Sequence, residues 1–106
     1  MILTNDMTHL LRAAALEAAR TTPTEYFERR MGMSKDAVRQ KYRGLIDNGL
    51  PDETVPAELL EAIRLTLIFL PEWECHAVTG FNYEDFANTL VSLELTGNPP
   101  EKLTEH

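Results

Sequence analysis

Cys75 and His76 are the one place in this chain where a thiol and an imidazole stand side by side. A nucleophile needs its base within hydrogen-bond reach. The run Trp73–Val78 alternates like a short strand, and neighbours in a strand point to opposite faces. The pair therefore does not read as a catalytic dyad. Zinc asks for about four ligands, and the other histidines, His9 and His106, lie far away in the sequence. Cys75 reads instead as a buried, inert thiol, and His9 as a surface residue. Glu84 and Asp85 are adjacent carboxylates, better explained by the electrostatics of a helix start than by acid–base work. Gly32 stands alone, so there is no glycine-rich phosphate loop. No catalytic residue, metal ligand or cofactor is expected, and the chain does not read as an enzyme.

What remains is a basic stretch in an acidic protein. The net charge is −7 over 106 residues. Residues 29–43 carry six basic side chains and one acid, a net of +5. Residues 44–106 carry two basic and twelve acidic side chains, a net of −10. Such asymmetry points to one face for phosphates and another for water or a basic partner.

The basic stretch has a definite local plan. Thr22, Pro23 and Glu25 fit N-cap, first and third positions of a helix, a capping box with proline where its missing N–H costs nothing. Gly32 tolerates the positive φ of a sharp turn. Ser34 then caps a second helix over 35–45. Val38, Tyr42 and Leu45 share one arc of it and would pack inward with Phe27, Met31 and Met33. Asp36, Arg39, Gln40 and Arg43 share the opposite arc. Arginine matches the O6/N7 edge of guanine, and glutamine the N6/N7 edge of adenine.

The run GMSKDAVRQKYR resembles the turn and recognition helix of small phage and plasmid regulators of the Cro/repressor and excisionase type. Phe27, Met31, Gly32, Met33, Ser34 and Val38 carry the resemblance, which spans about 22 residues. Glu28 and Lys41 stand where that family has a small alanine and an aliphatic residue. The resemblance implies a helix-turn-helix over 22–45 whose second helix lies in the major groove of double-stranded DNA.

The remaining elements follow from breakers and periodicity. Thr4-Asn5-Asp6 offers caps for a helix over 7–20, with Leu10, Leu11, Ala14 and Ala18 on one face and the small run Ala13-Ala14-Ala15 open to a close neighbour. Asp47 to Asp52 is a breaker cluster. Pro56 opens a helix that Pro71 stops. Its stripe is Leu59, Leu60, Ile63, Leu67 and Leu70, with Leu65, Ile68 and Phe69 adding apolar surface behind. Residues 72–81 read as a short strand. Asn82 caps a last helix ending at Gly97, with Phe86, Leu90, Leu93, Ala87 and Val91 facing inward. The expected fold is mainly α. It comprises about five helices, a helix-turn-helix-like core and at most one short strand or hairpin. Residues 1–97 form a single helical domain and 98–106 a polar tail.

The functional expectation is a small DNA-binding transcriptional regulator, a homodimer reading two half-sites. Arg39, Gln40 and Arg43 would face bases; Arg29, Arg30, Lys35 and Lys41 would contact phosphates. Leu65, Ile68, Phe69 and Trp73 would form the dimer interface. The alternative is a non-enzymatic phage- or plasmid-type protein whose acidic half covers a basic protein partner. With one cysteine no intrachain disulfide can form, and a reducing, cytoplasmic setting is the simplest expectation. No apolar run approaches the ~18 residues of a membrane span, so no membrane partner is expected.

Overall fold

The inner face of the first helix is lined with alanine, and that face determines how the chain assembles. The structure, a computed structural model, describes residues 4–44, 55–100 and 103. Helix α1 (Asn5–Thr21) starts where the Thr4 hydroxyl accepts the Met7 N–H at 3.1 Å. Met7, Leu10, Leu11, Ala14, Ala15, Ala18 and Ala19 are buried along it. Among the described residues five further helices follow: α2 (Thr24–Met31), α3 (Lys35–Arg43), α4 (Ala57–Phe69), α5 (Glu72–Thr79) and α6 (Tyr83–Thr96). There is no strand among the described residues, and no helix there is long and apolar enough to cross a membrane.

The most extensive helix pairing is α1 with α4. Small side chains let two helix axes approach closely. Thr66 of α4 marks the depth of the approach. Its hydroxyl is buried and lies 2.9 Å from the carbonyl oxygens of both Ala14 and Ala62, so one proton is shared between two helices. Leu59, Ala62, Ile63 and Leu65 of α4 are sealed in the same core. Helix α3 covers another side of α1, and α6 packs on α4 through the buried Phe86 and Leu93.

The basic stretch folds as a helix pair about a tight turn. Helix α2 ends at Gly32, whose φ of 72° is left-handed and strained for residues with a Cβ. Ser34 accepts the Ala37 N–H at 3.1 Å and starts α3. Phe27, Met31, Val38 and Tyr42 are buried and Met33 is partly so. Helix α3 rests chiefly on α1 rather than on α2. Arg12 of α1 fastens it by donating to the Arg43 carbonyl at 3.0 Å. Leu45 and the breaker cluster Asp47 to Asp52 lie outside the described residues.

Three expectations need correction. The Trp73–Val78 region is not a strand but helix α5. Pro71 stands at its N-cap, Glu72 and Glu74 in its first turn, and Gly80 at φ 80° closes it. Cys75 is its one fully buried residue, so no helical stripe appears in the sequence. Thr22 does not cap α2. Its N–H closes α1 on the Ala18 carbonyl at 3.1 Å, its carbonyl accepts from Lys35, and its hydroxyl is buried without a hydrogen-bond partner. The N-cap is Pro23, and no side chain caps the helix. Val91 faces solvent, at 53% exposure, rather than the core. In the C-terminal tail Leu103 is partly buried against the core.

The α1–α4 approach leaves no room for a larger residue. Ala14→Leu should lower stability by about 1–3 kcal/mol or more through overpacking, measured by urea unfolding. An unchanged midpoint would show that the two helices are not in close contact at this point.

Candidate nucleic-acid interface

Burial of Val38 and Tyr42 against α1 decides which arc of α3 faces outward. That arc carries Asp36, Gln40 and Arg43, all exposed. Arg39 sits at its edge, half-buried, and its guanidinium reaches Asp36 at 3.1 Å. Arg29 of α2 is exposed. Arg29, Gln40 and Arg43 make no side-chain hydrogen bond or ion pair among the described residues.

The other cations of the stretch are tied into the fold. The Arg30 guanidinium pairs with Glu61 of α4, donating from Nε at 2.7 Å. It also reaches the Tyr26 hydroxyl at 3.1 Å and stands 5.6 Å from the centre of that ring. Tyr26 in turn meets Phe69 edge-on, with ring centres 5.7 Å apart. Lys41 pairs with Glu58 of α4 and flanks the Tyr42 ring. Lys35 donates to the Thr22 carbonyl, beside the Phe27 ring. Of the seven basic and polar residues expected to meet DNA, three are free and four hold intramolecular partners. Burial, and then the neighbouring Glu58 carboxylate, push the Tyr42 phenol far above its ordinary value, so it stays protonated.

The pairs run further than the sequence announces. Glu61 also accepts from Arg64 at 2.9 Å, and Arg64 donates to Glu94 of α6 at 3.1 Å through Nε. The chain Arg30–Glu61–Arg64–Glu94 thus links α2, α4 and α6. Glu61 and Arg64 are three residues apart on one helix, a spacing that pairs side chains and is visible in the sequence. The partners across helices are separated by about thirty residues and leave no local signal.

The four residues expected at a dimer interface are divided. Leu65 is fully buried within its own chain and is not available to a second copy. Phe69 is half-buried against Tyr26. Ile68 and Trp73 are exposed, at 61% and 83%. Val78 and Leu95 are further exposed apolar residues of the C-terminal half.

The thiol and imidazole at 75–76 diverge: Cys75 is buried and His76 exposed. The Cys75 thiol lies 3.5 Å from the Phe81 carbonyl, to which it donates. Burial raises its pKa, with the Asp85 carboxylate adding to the effect. Asp85 itself accepts the Asn82 N–H at 3.1 Å in a capping box that starts α6. Among the described residues no three of His, Cys, Asp and Glu gather closely enough to hold a metal.

A raised thiol pKa means little thiolate at pH 8, and burial removes access to what there is. Cys75 should react with a thiol reagent at least roughly tenfold more slowly in the folded chain than in denaturant. Equal rates, followed by absorbance, would show that the α5–α6 corner opens freely. In comparisons with known proteins, no family model, curated protein or solved structure matches this chain.

Proposed function

We propose that this protein binds double-stranded DNA through α2, the Gly32 turn and α3, as a helix-turn-helix regulator reading the major groove. The observation that supports the reading is the outward arc of α3. The Gln40 and Arg43 side chains are exposed there and make no hydrogen bond or ion pair among the described residues, while Val38 and Tyr42 are buried on the opposite arc. A helix fixed on one side and free on the other is what groove entry requires. Gln40 and Arg43 are the leading base contacts, Arg39 a contact at the edge, and Arg29 a phosphate contact. The resemblance of Gly32-Met33-Ser34 and its neighbours to phage and plasmid regulators points the same way.

A second reading is favoured by a different observation. Trp73 and Leu95 are 83% and 79% exposed in the half of the chain that carries most of the negative charge. An aromatic anchor within an acidic surface suits a basic protein partner. The exposed Ile68 and Trp73 offer a contact that would join two copies of the chain.

Selection from random duplexes at low salt tests the first reading. One sequence family should be enriched. Gln40→Ala and Arg43→Ala should each cost about 1–3 kcal/mol of specific binding and relax preference at one base position. Arg29→Ala should weaken all duplexes alike and reduce the salt slope by about one. Selection without enrichment would sink the reading and leave the acidic-partner alternative. Self-association is checked separately. Light scattering at micromolar concentration should return about twice the 12.0 kDa chain mass, and Trp73→Ala should return it to the single chain. A wild-type chain that stays at the single mass when concentrated rules out the dimer.

A further inference from the structure

We infer that Glu58 and Glu61 act as intramolecular stand-ins for phosphate, holding Lys41 and Arg30 in an autoinhibitory contact that a polyanion must displace. The inference rests on the DNA-binding reading above and adds its regulation. Both carboxylates lie on α4, one turn apart, and each takes one cation from the basic helix pair. Glu61 and Glu58 are well covered, at 14% and 18% side-chain exposure, whereas their partners Arg30 and Lys41 are 42% and 47% exposed. The cations are therefore accessible from solvent while their counterions sit behind them. Lys41 is the sequence neighbour of Gln40, and Arg30 that of Arg29, so both flank the free side chains. Exposed ion pairs are individually weak, and a phosphate offers the same charge and hydrogen-bond acceptors as a carboxylate.

The consequence is thermodynamic. A cation that leaves a carboxylate for a phosphate releases a counterion from the duplex, but Glu58, left without Lys41, attracts a cation in its place, whereas Glu61 keeps Arg64 at 2.9 Å. The Lys41 contact therefore contributes little to the salt dependence. Removing Glu58 restores the full release of about 0.9 ion at that contact. The same pairs would lower the attraction of the net +5 basic stretch for nonspecific polyanions.

The test compares wild type, the double variant Glu58→Gln/Glu61→Gln, and a charge-matched control, Glu72→Gln/Glu84→Gln. Glu72 and Glu84 are exposed at helix starts distant in sequence from the basic stretch. Each protein is titrated with the selected duplex at several salt concentrations and run on a heparin column. The double variant should bind the duplex about two- to thirtyfold more tightly at low salt. Its salt slope should steepen by about one, and it should elute later from heparin, with the control showing neither the slope change nor the full gain. Equal gains in the double variant and the control would mean that only net charge matters, and the inference falls while duplex preference leaves the DNA reading in place. Later heparin elution confined to the double variant, with no duplex selected by any of the proteins, would sink the DNA reading and keep the masking. Should the double variant lose its helical circular dichroism, Glu58→Gln alone carries the test, with a slope change of about one.

Discussion

The shared proton of Thr66, lying between the carbonyls of Ala14 and Ala62, joins the two helices that pair most extensively. The side chain of one helix can reach the backbone of the other because the buried side of α1 carries small residues, Ala14, Ala15, Ala18 and Ala19. The shared hydrogen bond also leaves the buried hydroxyl satisfied, which an apolar contact could not do. From this contact the remaining architecture follows. With one side of α1 occupied by α4, another is left for α3. With one side of α4 occupied by α1, the other is left for α6. The position of the α3 outer arc is therefore a consequence of alanines in a different helix.

Helix α4 serves two purposes through two faces. Leu59, Ala62, Ile63, Leu65 and Thr66 face the core. Glu58, Glu61 and Arg64 lie toward α2, α3 and α6 and form ion pairs there. The charge asymmetry along the sequence thus becomes complementarity in space. Part of the excess positive charge in residues 29–43 meets part of the excess negative charge that follows it. Helix α4 looked apolar nearly all round, and its surplus seemed to need a second copy. Leu65 shows where much of that surplus goes, into the core of its own chain. What remains for a partner is smaller: Ile68 at the end of α4, and Trp73 just beyond.

Legibility followed the local signals. The Thr4 and Ser34 caps, the Gly32 turn, the stop at Pro71 and the Asn82–Asp85 start of α6 are written within four residues of themselves, and each appears where the spacing predicts it. Helix α5 was hidden because a helix that buries one residue has no stripe, and alternation of Trp73, Cys75 and Ala77 then imitates a strand. Pro71, which stops α4, also stands at the N-cap of α5, and Gly80 at its C-cap. Thr22 was misplaced because a Thr-Pro pair suits both the end of one helix and the start of the next. The candidate interface was legible as an arc and illegible as an electrostatic surface. Arg39 is held by its helix neighbour Asp36, but the pairing of Arg30, Lys35 and Lys41 depends on Glu61, the Thr22 carbonyl and Glu58, brought there by tertiary packing.

Asp36 limits how α3 would approach a duplex. It lies in the first turn of α3, on the same exposed arc as Gln40 and Arg43, and is 88% exposed at its side chain. A carboxylate is repelled by phosphates, so that end of the helix cannot lie along the backbone without cost. Directed into the groove, it can accept a hydrogen bond from the N4 amino group of cytosine. Its pairing with Arg39 partly screens the charge and holds the arginine at the edge of the arc. On the DNA-binding reading, an orientation that satisfies both would put the exposed arc of α3, with Asp36, Gln40 and Arg43, toward the groove floor and Arg29 toward its wall. With Arg30 and Lys41 paired to the α4 carboxylates, phosphate attraction would then contribute less to binding than the charge of the basic stretch suggests.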